Sequence, residues 1–241
     1  MEWENYAVTS SQISSSIIAT DGAVLRSDVR RLGDLLGQSL VRQEGPELLE
    51  LVEKVRKAVR DSGEDALLEK ITDDQAVDLV RAFSTYFHLA NVAEQVHRSR
   101  VLAEARRDGK SWLSQAVDKI IEAQKNPAAG HEFSQADIEK WVSELQVRPV
   151  FTAHPTEAAR RSILGKLSEI SRLLDLPKSI SQDERLAESV DLLWQTDELR
   201  LDRPEPLDEA MNALYNLDDL ATKTVPEVLN DFARELNRLD I

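Results

Sequence analysis

Apolar residues recur at helical spacing along most of this chain of 241 residues. Intervals of three and four residues place one early set on a single helix face: Val29, Leu32, Leu35, Leu36 and Leu40. Glycine and proline number only eight each, and 31% of the residues are charged, which is typical of helical proteins. These features predict a predominantly α-helical fold.

Local signals predict where individual helices begin. Pro46 suits the first turn of a second helix, and Pro226 suits the first turn of the last one. In a capping box, a serine or threonine exchanges hydrogen bonds with a residue three positions later. Two stretches have this form, residues 72–75 and 181–184, and residues 134–137 are expected to open a further helix.

A long helix is expected after residue 72, ending at Asp108 and Gly109. Its predicted core face contains Val77, Val80, Phe83, Phe87, Ala90 and Val96. His88 and His97 lie on the same helix. Because their spacing is not the i, i+4 of paired metal ligands, neither is assigned a role.

The predicted domain organisation is simple. Residues 1–22 are rich in serine and threonine, and we expect them to form a mobile tail. Residues 23–241 are expected to form one helical segment. Its last apolar pattern, which follows Pro226, runs to the final residue without a capping signal. We therefore expect this helical domain to be incomplete at its C-terminal end.

One short stretch departs from the helical pattern and carries a histidine. A run of β-forming residues predicts a strand at about 147–153, although one strand cannot form a sheet. Pro155 disfavours helical backbone at His154, and Thr156 is a suitable N-cap for the helix that follows. His154 is therefore expected where a strand ends and a helix begins, a position at which α/β folds place reacting groups.

Two arginines follow the histidine. Arg160 and Arg161 lie one turn into the predicted helix, near its positive end. Free N–H groups of a helix together with two guanidinium groups suit a phosphate or a carboxylate. Alternatively, these arginines pair with acidic residues elsewhere in the chain, and their pattern leaves both interpretations open.

A further stretch, residues 193–210, alternates in charge and contains two prolines. We interpret it as a structural joint between helices with surface ion pairs. The functional alternative is that Arg200 or Arg203 joins the anion site, or that a carboxylate of this stretch orients His154. No set of carboxylates in the chain is convincing enough to predict a metal site.

Composition excludes several classes of function. The net charge of −14 argues against general binding to nucleic acids or anionic membranes. The absence of cysteine removes disulfides, thiolate catalysis and cysteine-ligated metals, and is consistent with a cytoplasmic location. No apolar run is long enough to span a bilayer, and the first residues lack the features of a signal peptide.

Three stretches resemble one enzyme family. They are similar in sequence and order to the N-terminal part of bacterial-type phosphoenolpyruvate carboxylase, and the likeness runs from about residue 24 to the end of the chain. They are FSTYFHLANVAEQ at 83–95, VFTAHPTEAARRS at 150–162 and LWQTDELRLDRPEPLDEA at 193–210. Enzymes of this family are several times longer than this chain.

The resemblance implies an activity and a fold. The family adds bicarbonate to phosphoenolpyruvate with Mg²⁺ or Mn²⁺, giving oxaloacetate and phosphate through carboxyphosphate and an enolate. The implied parent fold is a helix-rich α/β (TIM-like) barrel, of which this chain is the N-terminal part. The implied assembly is a homotetramer under allosteric control.

The resemblance also implies residue roles. The catalytic histidine of the family falls on His154, where it takes the carboxyphosphate proton or holds that intermediate. Arg160 and Arg161 match a position that binds a sugar-phosphate activator or another anion in some members. The metal ligands, catalytic lysine and substrate-phosphate arginines of the family lie beyond the matched region, so this chain is expected to be inactive alone.

Two other functions remain as alternatives. The chain is alternatively a non-catalytic helical interaction module or anion-binding module that has kept the histidine motif. An independent enzyme acting through His154 is the weaker alternative, because no nucleophile, metal site or second base is identifiable.

Overall fold

The computed structural model describes residues 22–61, 70–125, 134–148, 161–197 and 205–239. Almost all of these residues are helical, as predicted. The α-helices of these ranges are α1 (Gly22–Glu44), α2 (Pro46–Asp61), α3 (Asp73–Arg107), α4 (Trp112–Lys125), α5 (Gln135–Glu144), α6 (Arg161–Asp175), α7 (Ile180–Trp194), α8 (Pro206–Asp219) and α9 (Val225–Leu236).

Two shorter helical segments complete the described part. A π-helical turn, Leu220–Thr224, joins α8 to α9, and a 3₁₀ turn, Asn237–Leu239, follows α9. The wide turn ends just before Pro226. Proline has no backbone N–H and its ring crowds the carbonyl four residues earlier, so a regular α-helical turn is disfavoured there. None of the helices in the described ranges is long and apolar enough to cross a membrane.

The chain divides into two units. The first consists of residues 14–101 and 159–200, and the second consists of residues 1–13, 102–158 and 201–241. Helix α3 contributes to both. The predicted tail, 1–22, lies outside the described residues apart from Gly22, which begins α1.

The first unit is built on a large apolar core. Helix α7 packs against α6 and α1, and α1 also packs against α2. The core includes Leu32, Leu36 and Leu40 of the predicted α1 stripe together with Leu186 and Val190 of α7, all of which are buried. These contacts confirm the helical stripe predicted for α1 and show what it packs against.

The second unit has a small core. Val117 of α4, Ile138 of α5 and Leu239 of the last turn are its buried apolar residues within the described ranges. Helix α4 packs against α9 and the last turn. The Ser114 hydroxyl donates a hydrogen bond to Glu235 Oε1 at 2.9 Å, which joins α4 to α9 beside this cluster.

One predicted capping box and one predicted helix start are confirmed. Thr72 and Gln75 exchange hydrogen bonds of 3.1 and 3.3 Å, and Ser134 and Asp137 exchange bonds of 3.0 and 3.2 Å. The predicted end of α3 is also confirmed. There Gly109 has φ +66°, a left-handed conformation that glycine adopts without strain.

The second predicted capping box was predicted in the wrong place. The N-cap of α7 is Ser179, whose hydroxyl accepts from the N–H of Gln182, so Ser181 lies inside the helix. The Gln182 side chain is buried and donates to the carbonyls of Leu173 and Leu176 at the end of α6. This tertiary anchoring favours Ser179 over Ser181, although both serines precede a suitable partner by three residues.

The predicted core face of α3 is also largely wrong. Val77, Val80 and Phe87 are 58%, 69% and 61% exposed. Val96 is buried as predicted, and the other buried residues of α3 are Leu79, Ala82, Thr85, Leu89, Val92, Ala93 and His97. Helix α3 carries two apolar stripes, and the one containing small residues faces the core because small side chains allow close helix packing.

The strand predicted at about 147–153 is not supported. Val147 and Arg148 have no regular structure, and the Val147 side chain is 85% exposed. The remaining residues of this stretch lie outside the described ranges, and within those ranges there is no β-strand. A strand needs a hydrogen-bonded neighbour, and the described part of the chain offers none.

Candidate functional site

Most of the predicted site residues lie outside the described part of the chain. This applies to His154, Arg160, Arg200 and Arg203. Arg161 is described: it is the first residue of α6 and is exposed.

In the sequence, the predicted site residues precede α6, begin it or follow α7. The two helices pack against each other and are joined by four residues, 176–179, so they run antiparallel. The beginning of α6 and the end of α7 therefore lie at the same end of the first unit. The chain therefore enters α6 at Arg161 and leaves α7 at Trp194 at this same end.

A cavity of about 440 Å³ lies at this end of the first unit. Ile163 of α6 and Trp194 of α7 line it together with residues of α3. Its walls are mainly apolar, and its polar lining residues are Arg81, Ser84, Thr85, His88, Thr196 and Asp197. A cavity of this size with a few polar groups is typical of a small-molecule site.

Arg81 and Trp194 determine the geometry of one wall. Arg81 Cζ lies 4.4 Å from the centroid of the indole ring, which is a cation–π contact. Arg81 Nη2 also donates to the backbone carbonyl of Trp194 at 2.9 Å. This hydrogen bond satisfies a carbonyl at the end of α7 and places positive charge at the negative end of the helix dipole.

The indole of Trp194 is itself held in place. It is 2% exposed, and its Nε1 donates to Glu44 Oε1 of α1 at 2.9 Å. Arg81, Trp194 and Glu44 thus connect α3, α7 and α1 at the cavity. Because α7 ends at Trp194, these contacts fix the position of its C-terminal end.

The opposite end of the first unit is held by Arg100, which pairs with the buried carboxylate of Asp28. Arg100 of α3 pairs with Asp28 of α1 at 2.7 Å and with Asp175 of α6 at 2.9 Å, and it also donates to the Leu174 carbonyl. Burial alone would lower the pKa of Arg100, but its hydrogen bonds to Asp175 and Asp28 outweigh burial and raise that pKa. This group lies at the end of α6 away from the cavity, so its role is to fix the helices.

The described residues do not form a metal site. In these ranges, no three histidine, aspartate or glutamate side chains come together as ligands of one ion. The cavity contributes His88 and Asp197, which is fewer than a protein-held metal requires.

The sequence patterns did not indicate Arg81 as a site residue, and they gave no role to His88. Both line the cavity, and both lie in or near the 83–95 stretch, which was recognised only as part of a resemblance. Arg81 and Trp194 are 113 residues apart in the chain, so no local pattern indicates their contact.

Comparisons with known proteins place the chain in a family. The family model described as phosphoenolpyruvate carboxylase matches residues 25–239. The chain is 34% identical over 233 residues to the phosphoenolpyruvate carboxylase of Alcanivorax borkumensis, covering 89% of this chain and 26% of that protein.

Two further relatives agree. The phosphoenolpyruvate carboxylase of Azorhizobium caulinodans is 37% identical over 229 residues, covering 85% of this chain and 24% of that protein. That of Acinetobacter baumannii is 34% identical over 242 residues, covering 90% of this chain and 25% of that protein. The chain therefore spans about a quarter of the length of the curated relatives it matches.

Proposed function

The chain belongs to the phosphoenolpyruvate carboxylase family, and from this premise we propose that it is the N-terminal segment of a carboxylating lyase. The complete enzyme adds bicarbonate to phosphoenolpyruvate and releases oxaloacetate and phosphate. The observation that carries this proposal is the family match over residues 25–239. The cavity at the end of the first unit where α6 begins and α7 ends also supports it, because its size suits a small molecule.

The proposed role of His154 concerns the second half of the reaction. Bicarbonate first attacks the phosphoryl group, which gives carboxyphosphate and the enolate of pyruvate. His154 then accepts the carboxyphosphate proton or holds this intermediate while phosphate leaves and the enolate attacks carbon dioxide. An imidazole suits this role because its unperturbed pKa of about 6.5 allows proton transfer near neutral pH.

The arginines are proposed to stabilise anions. Arg160 and Arg161 would bind the phosphate of an activator or another anion, with Arg200 and Arg203 as further members of the same site. A guanidinium group suits this purpose because its planar donors match phosphate and carboxylate oxygens. The exposed position of Arg161 at the first described turn of α6 is compatible with this role.

The reaction implies Mg²⁺ or Mn²⁺, which would stabilise negative charge on the phosphoryl group and the enolate. The described residues do not fit such an ion, because they bring no three suitable ligands together. We assign no metal ligand in this chain and propose that the remainder of the enzyme supplies them. A TIM-like barrel, a homotetramer, allosteric control and a cytoplasmic location are also proposed for the complete enzyme.

The proposal is tested with two proteins. The first is the purified 241-residue chain, assayed for oxaloacetate with phosphoenolpyruvate, bicarbonate and Mg²⁺; we expect no activity. The second is a chimera in which residues 25–239 replace the matching quarter of the Alcanivorax borkumensis enzyme, and we expect it to form oxaloacetate. Oxaloacetate formation by the isolated chain contradicts the assignment as a segment.

Substitution of His154 in the chimera tests its role. His154→Asn should abolish oxaloacetate while phosphate and pyruvate are still released, because carboxyphosphate still forms and the enolate takes a proton from water. His131→Asn is the matched control and should retain oxaloacetate formation. If the chimera folds but is inactive, while the isolated chain binds phosphoenolpyruvate through Arg160 and Arg161, the anion-binding alternative is favoured.

A further inference from the structure

One helix of the second unit exposes an apolar face. Leu207, Met211, Leu214 and Leu217 are spaced by four, three and three residues, so they lie on one side of α8. We call these four residues the α8 face. Their side chains are 70%, 50%, 59% and 37% exposed. Isolated exposed leucines are ordinary on protein surfaces, but a continuous apolar stripe along a helix indicates an interaction surface.

Among the described residues, helix α8 contributes none to the buried core of its own unit. Its principal packing in the described part of the chain is with the π-helical turn that follows it. A helix of 14 residues that buries no apolar face is marginally stable in water. The sequence nevertheless forms an amphipathic helix here, and burial of the α8 face against a partner would stabilise it.

The connection to α9 anchors α8 at one end. The turn Leu220–Thr224 continues directly into α9, and the Thr222 hydroxyl donates to the Asp218 carbonyl at 2.7 Å. The segment ends at Leu239, which is buried in the core of the second unit. The α8 face is therefore presented on a helix attached to a packed structure.

Charge limits what can cover the α8 face. Helix α8 contains four acidic residues and no basic residue: Asp208, Glu209, Asp218 and Asp219. A second copy docked symmetrically through the same face would bring these acidic helices together, and like charges across an interface oppose association. A suitable partner offers an apolar stripe flanked by lysine or arginine.

We propose that the α8 face docks the polypeptide that makes up the other three quarters of the carboxylase, through a helical surface with an apolar stripe and basic edges. This inference rests on the proposed function. The share of the relatives that the chain covers supports this occupant, because about three quarters of their sequence lies outside the match. The proposal specifies which surface of this chain makes the contact.

The test uses the full 241-residue chain with an affinity tag. It is co-expressed with the unmatched three quarters of the Alcanivorax borkumensis carboxylase, and the amount that co-purifies is measured. The quarter of that carboxylase which matches this chain serves as the positive control and establishes the capture conditions. We expect the wild-type chain to capture the probe.

The decisive variant is Met211→Gln/Leu214→Gln, which removes apolar side chains but keeps good helix formers. We expect a loss of capture of about tenfold or more, since central apolar contacts dominate binding at interfaces. Glu139→Gln, an exposed position on α5 of the same unit, is the matched control and should capture as the wild type does. Circular dichroism of each variant verifies that its helix content is unchanged, and Leu207→Gln provides a second test.

Three other outcomes contradict the proposal. Equal capture by Met211→Gln/Leu214→Gln shows that a different surface makes the contact, whereas the proposed function is unaffected. No capture by the wild-type chain, with capture by the positive control, rejects docking by this chain. A stable dimer that the double substitution dissociates assigns the face to a second copy. In contrast, capture with an inactive chimera counts against the proposed function and leaves the docking surface intact.

Discussion

The two units differ in how much of their amphipathic pattern is buried. Among the described residues, the core cluster of the first unit contains 17 buried apolar side chains and that of the second contains three. In the first unit, α1, α6 and α7 cover one another. In the second, Val228 and Leu229 of α9 remain about half exposed, as does much of α8. An amphipathic sequence thus predicts a helix with a face to bury, but it does not specify what will cover that face.

The largest expected difference between the units is in local stability. Amides of α7 near Leu186 should exchange with solvent only on global unfolding, whereas amides of α8 near Leu214 should exchange through local fraying. We expect protection factors to differ by roughly a thousandfold or more. Hydrogen–deuterium exchange with mass spectrometry measures this in the isolated chain. Comparable protection of the two helices means that α8 is packed, which contradicts the comparison.

Core truncation compares the units by mutation. Leu186 is fully buried, so Leu186→Ala should lower the free energy of unfolding by about 3 kcal/mol through lost burial and a residual cavity. Leu207 is 70% exposed, so Leu207→Ala should change it by less than about 0.5 kcal/mol. Urea unfolding followed by circular dichroism measures both. A cost for Leu207→Ala similar to that for Leu186→Ala shows that this side chain is covered in solution.

Helix starts were predictable where the signal is local. The capping box predicted at 72–75 and the helix start predicted at 134–137 are set by residues three positions apart, and both are confirmed. The start of α7 was predicted two residues late, because 179–182 and 181–184 both fit the pattern. The choice depends on the contacts of Gln182 with the end of α6, which no local pattern contains.

Core faces and the candidate site depend on long-range contacts, and prediction was weaker there. Helix α3 has two apolar stripes, and hydropathy favoured the one with Val80 and Phe87, whereas the packed stripe contains Ala82 and Leu89. The β-forming residue Val147 has no neighbouring strand among the described residues. The cavity could not be foreseen either, since its Arg81–Trp194 contact joins distant parts of the chain. The predicted role of His154 remains a prediction.

The two units should also differ in how much an ion pair contributes to stability, and this difference is smaller than that for core side chains. Arg100→Ala should cost about 2 kcal/mol, because Asp28, with a side chain only 5% exposed, loses its charged partner. In the second unit, Arg238 pairs with Asp118, whose side chain is 54% exposed, and with Glu235. Arg238→Ala should therefore cost less than Arg100→Ala does. Urea unfolding of each variant gives the two values.

The matched control for Arg100 is Arg98, which lies on the same helix and is exposed. Arg98→Ala should change the free energy of unfolding by less than about 0.5 kcal/mol. If Arg100→Ala is no more destabilising than Arg98→Ala, Asp28 is solvated without its partner, and the end of the first unit away from the cavity is not held by this charge.

The smallest expected effect is the pH dependence of one carboxylate in each unit. Burial would raise the pKa of Asp191, but hydrogen bonds from Ser39, Arg42 and Gln43 outweigh burial and lower that pKa below its ordinary value of 3.8. A lowered pKa in the folded state stabilises the protein above 3.8, and this contribution is lost as the pH falls through the folded-state pKa. Asp191→Asn should therefore cost about 0.5 kcal/mol or less at neutral pH, since the pair is partly open to solvent.

The cost of Asp191→Asn should disappear on acidification, because protonation removes the same charge from the wild type. In the second unit, hydrogen bonds from the side chain and backbone of Ser134 lower the pKa of Asp137. Asp137→Asn should therefore show the same sign of pH dependence. Unfolding free energies measured from neutral to acidic pH test both residues. A cost for Asp191→Asn that stays constant over this range shows that the residue acts through uncharged hydrogen bonds. In that case the charge of Asp191 does not contribute to the stability of the first unit.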